Sequence, residues 1–437
     1  MGSICWPYFD PEYETLNQRI NPPRVSIDNA TCSDCTLVKV DSVNKHGILL
    51  EVVQVLTDLD LSISKAYISS DGGWFMDVFH VTDQQGNKVT DPKMIEQIEK
   101  ALGANGSPKT RVQSVGGEYT AIELMGSDRP GLLSEISAVL ADLNCNVVAA
   151  QAWSHNTRIA CVFYVTDSAS SRRLDDPARL ADIQEHLRNV LRGGDGVAHT
   201  NVSTDLTRTD RRLHRMMSDD PDNELVVDGG YGEKAGPCCD FRPRITVEGC
   251  DEKGYSVVNV RCKDRPKLLF DTVCTLTDMK YVVFHASIVS DGPYALQEYY
   301  IRHMDGCTLN SEAEKNHVIR SLEAAILRRV SDGVSLELSA KDRVGLLSDV
   351  TRVLRENGLT VMRAEVSTVG AKAVNVFYVR DASGNPVDMK TIESLRKEIG
   401  HTMLLNVKAP DLDKPSQSVG TAKFSFSFGR LFWKFLP

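Results

Sequence analysis

The chain has 437 residues, 42% of them apolar and 25% charged, with a formal net charge of −9. At about 150 residues per domain this is material for about three domains, and the composition is that of a globular chain rather than a collagen-like or disordered one. The negative charge disfavours a non-specific grip on nucleic acid, and no run of about 18 uncharged apolar residues is present to span a membrane.

The first residues have no basic start followed by an apolar stretch, so no signal peptide is expected there. The 11 cysteines are odd in number and spread over a long chain. That pattern suits a reducing intracellular compartment, cytoplasmic and/or nuclear, better than a secreted disulfide framework. Cys32 and Cys35 form a CxxC with no second pair at zinc-finger spacing, so the expectation is two thiols in a turn before a strand and no metal.

One short pattern then recurs four times. It reads Asn44-Lys-His-Gly-Ile-Leu49, Asp128-Arg-Pro-Gly-Leu-Leu133, Asp264-Arg-Pro-Lys-Leu-Leu269 and Asp342-Arg-Val-Gly-Leu-Leu347. Further positions keep the register without gaps: Leu56, Leu140, Leu276 and Leu354, then Ala66, Ala150, Ala286 and Ala364, then Phe79, Phe163, Tyr299 and Phe377. An internal repeat of this kind outranks every other signal. A Pro-Arg strand precedes the first and third copies, at Pro23 and Pro243, and is missing from the other two. The chain therefore reads as a duplicated pair, copies one and two followed by copies three and four.

Copy two shows the elements most clearly. Residues 119–125 alternate apolar and polar and predict a strand. Asp128 is placed as a helix cap with Pro130 in the first turn, and Leu132, Leu133, Ile136, Val139, Leu140 and Leu143 as the apolar face of that helix. Strands are expected at 147–153 and 159–166, a helix from Asp176-Pro177 to about Leu191, and a last strand at 197–203. Strand, helix, strand, strand, helix, strand is the ferredoxin-like arrangement, an antiparallel sheet with both helices on one face. Such a unit leaves one face and its edges open, which pairing of units repairs. Residues 205–241 break the rhythm and read as a short helix followed by a Gly-rich connector rather than a phosphate loop. The end of the chain, from Lys423, mixes aromatics with a few cations. It reads equally as a membrane-surface or partner-docking segment and as a tail packed on the body.

The four loops, with Val-Phe-Tyr-Val-Thr-Asp on a later strand of copy two, resemble the ACT domain. Four such units after a Trp-Pro-Tyr-Phe-Asp-Pro start resemble the plant ACT domain repeat (ACR) proteins, and the Pro-Arg strand resembles the ACT region of the glutamine-sensing uridylyltransferase. The fold so implied is α+β, four tandem βαββαβ ACT units. The expected organisation is an N-terminal segment with the leading strand (1–35), ACT 1 (36–115), ACT 2 (119–203), a linker (204–242), a leading strand with ACT 3 (243–331), ACT 4 (333–408) and a C-terminal tail (409–437).

The resemblance implies an amino acid held between neighbouring units, with glutamine favoured, no cofactor, and a protein partner that reads the result. The residues so implied are Asn44, Gly47 and Ile48 in copy one, Asp128, Gly131 and Leu132 in copy two, Asp264 in copy three, and Asp342, Gly345 and Leu346 in copy four. A loop that opens a helix offers N–H groups and a positive dipole end to a carboxylate, Gly lets a ligand approach the backbone, and the first side chain of the loop takes an amino group. Lys267 in place of Gly, and Asn44-Lys45-His46 in place of Asp-Arg-Pro, make the copies unequal. Neither GxSxG nor HExxH nor a P-loop occurs, and the histidines are scattered, so no enzyme is expected. The competing reading is a protein-interaction scaffold whose ligand sites have lapsed.

Overall fold

The computed structural model describes residues 23–71, 74–103, 119–192, 198–203, 208–218, 242–250, 253–329, 334–399 and 403–408. The C-terminal aromatic segment, the first residues and the Gly-rich part of the linker lie outside them.

Sixteen strands and nine helices are present among the described residues. Unit 1 comprises β1 (Arg24–Asp28), β2 (Thr36–Val43), α1 (Ile48–Asp58), β3 (Ser62–Asp71), β4 (Trp74–Thr82) and α2 (Pro92–Leu102). Unit 2 comprises β5 (Thr120–Ser127), α3 (Leu132–Asp142), β6 (Cys145–His155), β7 (Arg158–Asp167), α4 (Pro177–Leu191) and β8 (His199–Ser203). After α5 (Thr209–Ser218), unit 3 has β9 (Arg244–Cys250), β10 (Tyr255–Lys263), α6 (Leu268–Asp278), β11 (Tyr281–Asp291), β12 (Tyr294–His303) and α7 (Glu312–Arg329). Unit 4 has β13 (Val334–Lys341), α8 (Leu346–Glu356), β14 (Leu359–Val369), β15 (Lys372–Asp381), α9 (Met389–Ile399) and β16 (Leu404–Lys408).

In units 2 and 4 the last strand lies beside the first, as the ferredoxin-like order requires: β8 pairs with β5, and β16 with β13. In units 1 and 3 the leading Pro-Arg strand takes that edge instead, β1 against β2 and β9 against β10. The sheet is the same; the strand that completes it comes from the other end of the unit.

The duplicated order of the sequence is not the spatial pairing. Unit 1 joins unit 3, and unit 2 joins unit 4, each through the strand that follows its first helix, giving two eight-stranded sheets with the orders β1-β2-β4-β3-β11-β12-β10-β9 and β16-β13-β15-β14-β6-β7-β5-β8. The pairing of sequence neighbours is thereby corrected. The register is the same in both seams: Ala66 faces Ile288 and Ala286 faces Ile68, while Ala150 faces Val366 and Ala364 faces Ala152. The repeated alanines thus line the seams, buried at 0–6% exposure. Helices α1 and α6 pack together above one seam, α3 and α8 above the other, and a small side chain leaves them room.

Each first helix starts later than the sequence suggests. Asp128 is not its cap; the residue before the helix is Gly131, at φ +84°, and no side chain caps α3. Gly47, Lys267 and Gly345 take the same left-handed conformation at φ +82°, +65° and +78°. This backbone demand is one reason for Gly in the motif. The second helix of unit 2 starts as expected, with Asp176 accepting from the Ala178 N–H at 3.2 Å and Pro177 in the first turn.

The open face of the second sheet is covered by the helix layer of the first. Helix α5 mediates the contact: Leu213, Met216 and Met217 pack on Trp153, Ala160 and Val162. The Arg329 guanidinium of α7 sits 4.6 Å from the Trp153 ring centroid. The open face of the first sheet keeps Tyr67, Met76 and Leu296 exposed.

Candidate ligand-binding site

Two clefts lie at the seam between units 2 and 4. The first spans about 370 Å³, part of which is open solvent. Asp342, Arg343 and Gly345 of the unit 4 loop, with Leu346 and Ser348 of the first turn of α8, form one wall. Ser137, Ala141, Cys145 and Asn146 of unit 2 form the other, and Asn375 of β15 lines the cleft as well. Helix α8 opens here without a side-chain cap, so its first N–H groups and positive dipole end suit a carboxylate. Asn375 is 2% exposed, and its Oδ1 is buried with no hydrogen-bond partner among the described residues. A buried acceptor left alone costs roughly 1–3 kcal/mol, which a donor on a ligand would recover.

The second cleft, about 320 Å³ with its open solvent included, is its pseudo-symmetric counterpart, with Asp128, Arg129, Gly131 and Leu132 facing Thr351, Arg355 and Thr360. It is more crowded. A Cβ on Gly131 would lie 2.7 Å from Arg355 Cδ, so the arginine of unit 4 already occupies the close approach that Gly provides. Asp128 accepts a hydrogen bond from Ser154 Oγ. Burial raises its pKa, and the Ser154 hydroxyl works in the opposite direction. The position equivalent to Asn375 is Cys161, fully buried and apolar in character.

The unit 1 loop, with Asn44, Gly47 and Ile48, faces α6 of unit 3, the Thr277 Cγ2 standing 3.9 Å from the place of a Gly47 Cβ. Its residue equivalent to Asn375 is Asp77, 1% exposed, with Oδ2 unpartnered among the described residues. Burial raises its pKa well above the usual carboxylate range, and the Ser69 N–H lowers it only in part.

The unit 3 loop is filled from within. Lys267 Nζ lies 2.8 Å from Asp210 of α5, and Arg208, just before that helix, pairs with Asp58 at the end of α1. Beneath them Asp271, fully buried, accepts from Arg329 at 2.8 Å and faces Arg265 at 2.8 Å and His214 at 2.7 Å. Burial alone would raise the Asp271 pKa, but the Arg329 and Arg265 charges outweigh it and hold the carboxyl well below its usual range. Asp264 stands next to Arg265 of this cluster, and its carboxylate accepts from the Arg265 N–H at 2.9 Å. The sequence flagged Lys267 as a departure; that α5 would supply its partner was not visible there.

Sequence reasoning missed Asn375, Asp77 and Arg355. The first two share one position of the repeat, filled elsewhere by Cys161 and Gln297, and a polar residue at a core position was the available signal. It also missed that His80 of β4 approaches Cys32 and Cys35.

With this geometry in view, the relatives are informative. Residues 31–108 match the model of the ACR family N-terminal ACT domain, and residues 120–188 and 334–397 match the ACT domain. The chain is 62% identical over its whole length to the ACT domain-containing protein ACR3 of Arabidopsis thaliana, all of which is covered. It is 55% identical to ACR4 from the same plant, over 97% of this chain and 95% of ACR4. The chain belongs to the ACR family of ACT domain-containing proteins. Among the ACR chain's described residues, no helix is long and apolar enough to cross a membrane.

Proposed function

We propose that this ACR protein is a non-catalytic, intracellular amino-acid sensor, and that its ligand sits in the cleft between the unit 4 loop and unit 2. The observation that carries this reading is Asn375, whose buried, unpartnered Oδ1 lines a cleft entered by an uncapped helix N-terminus. The ligand carboxylate lies at the start of α8, its ammonium group at Asp342, and a side-chain N–H donor at Asn375. An amide side chain supplies that donor, which supports glutamine as the preferred ligand. Units 1 and 2 offer poorer versions of the site, and unit 3 the poorest, because Lys267, paired with Asp210, stands where the other loops have Gly. The ligand acts by its different affinity for two arrangements of units 2 and 4, and a protein partner reads the difference.

Calorimetry with the full set of protein amino acids tests this on the full chain. Glutamine is expected to give saturable heat with one dominant site, lost in Asn375→Leu. Absence of heat from every amino acid at millimolar concentration refutes it. The scaffold reading draws on the exposed Tyr67, Met76 and Leu296 of the first sheet, and predicts partner capture unaffected by any amino acid.

A further inference from the structure

We propose that Cys32, Cys35 and His80 form a zinc site on the first sheet. Cys32 Sγ, Cys35 Sγ and a ring nitrogen of His80 all lie within 4.8 Å of one another. Cys35 Sγ is 3.4 Å and Cys32 Sγ 4.0 Å from His80 Nδ1. Tetrahedral zinc with bonds of about 2.3 Å to sulfur and 2.0 Å to nitrogen needs S···N edges of about 3.6 Å. The two S···N edges are therefore within a few tenths of an ångström of the bound values.

The backbone explains why the three meet. Leu37 of β2 stands directly opposite His80 of β4, and Cys35 is two residues before Leu37. Strand alternation puts Cys35, Leu37 and His80 on the face away from the helices. Cys32 is brought back by a turn that the sheet holds at both ends. Asp28 accepts from the Ala30 and Thr31 N–H groups at 2.9 and 3.0 Å. Thr36 Oγ1 donates to Asn29 Oδ1 at 2.6 Å, and Asn29 Nδ2 donates to the Val89 carbonyl at 3.0 Å. Little ordering remains for a metal to impose.

The repeat supplies an independent observation. The residues equivalent to His80 in the other three units are Tyr164, Tyr300 and Tyr378, and those equivalent to Cys35 are Tyr119, Tyr255 and Gly333. Those equivalent to Cys32 are Gly116, Glu252 and Val330. The two cysteines and the histidine thus occur together in the one unit where the fold brings them into contact, and no Cys or His stands at these positions elsewhere.

Binding is an acid–base step: two thiols lose their protons to solvent, Zn²⁺ forms two Zn–S bonds and one Zn–N bond, and no electron changes hands. Cys32 and His80 are partly exposed, so water completes the tetrahedron. The bound ion would tie the turn after edge strand β1 to the middle of the sheet.

The test is metal analysis of the reduced, desalted full-length protein, with Co²⁺ as a spectroscopic probe. One equivalent of tightly held Zn²⁺ is expected, and Co²⁺ is expected to give thiolate charge-transfer bands with tetrahedral d–d absorption. Cys32→Ser and His80→Tyr should each weaken binding about 100-fold or more. The second places in the sheet the residue its sister units carry there, so it preserves the fold. The exposed Cys307 serves as a control, and Cys307→Ser should bind as wild type does. Binding unchanged in Cys32→Ser and His80→Tyr, or no metal above background in wild type, overturns the proposal.

Discussion

The contact between Gly131 and Arg355 allows a quantitative test of how the units are paired. Gly131→Ala introduces two penalties. An alanine at φ +84° carries left-handed strain of about 1–2 kcal/mol. Its Cβ would also stand 2.7 Å from Arg355 Cδ and 3.2 Å from Cγ, which forces the arginine stem aside. Overpacking costs about 1–3 kcal/mol, the low end applying to a side chain that can swing. Gly345→Ala is the internal control, since it has the same strain at φ +78° but nothing within 4 Å of the new Cβ. Gly345→Ala should therefore cost about 1.5 kcal/mol and Gly131→Ala about 2.5 kcal/mol. Adding Arg355→Ala to Gly131→Ala should recover about 1 kcal/mol beyond additivity. The measurement is a double-mutant cycle by urea unfolding followed by circular dichroism. Additivity to within about 0.3 kcal/mol would show that the two residues, one in unit 2 and one in unit 4, do not touch, and would refute the 2–4 pairing.

Other expectations concern buried charge. Removing Asp271 with Ala should cost about 3–5 kcal/mol, because Arg265 loses its buried counter-ion and Arg329 keeps only Asp210, and should speed hydrogen exchange at Leu213 and Met216 of α5. Burial would raise the Asp210 pKa, but Arg329 and Lys267 outweigh it and hold it down to about 2. Being depressed in the fold, Asp210 and Asp271 stabilise the protein fully above an unfolded carboxylate pKa of about 3.9, and each contribution is lost as the pH falls through that group's folded value, about 2 for Asp210. Acid titration of the unfolding midpoint should show that loss in wild type and a smaller one in Asp210→Asn, which keeps Asp271. Asp77 has the opposite sign: its raised pKa means stability that is present below about pH 3.9 and declines as the pH rises through the folded value. Asp77→Asn, which copies Asn375, should remove that decline and so stabilise the ligand-free protein at pH 7; a destabilised variant there would contradict the assigned burial cost.

The four units were legible because their cause is local. Leucines at helical spacing bury one face of each first helix, as Leu133, Ile136 and Leu140 do in α3, and Asp176-Pro177 starts α4 where the sequence placed it. The loop motif was legible too, although its Asp was assigned the wrong task. Asp128 makes no cap hydrogen bond to α3, since the chain enters that helix through a left-handed Gly131 rather than through an extended Asx residue.

By itself the sequence determined the number of units, their ferredoxin-like elements and the loops that open their first helices, all properties set by neighbours within a few turns of chain. Only the tertiary structure decided which units share a sheet, because the alanine seam positions are the same in all four copies and carry no preference for a partner. It alone brought Asp210 onto Lys267, Asn375 into the cleft with Asp342, and His80 to Cys32 and Cys35. These residues are separated by more than 30 positions in the chain, and their chemistry depends on distances that no periodicity records.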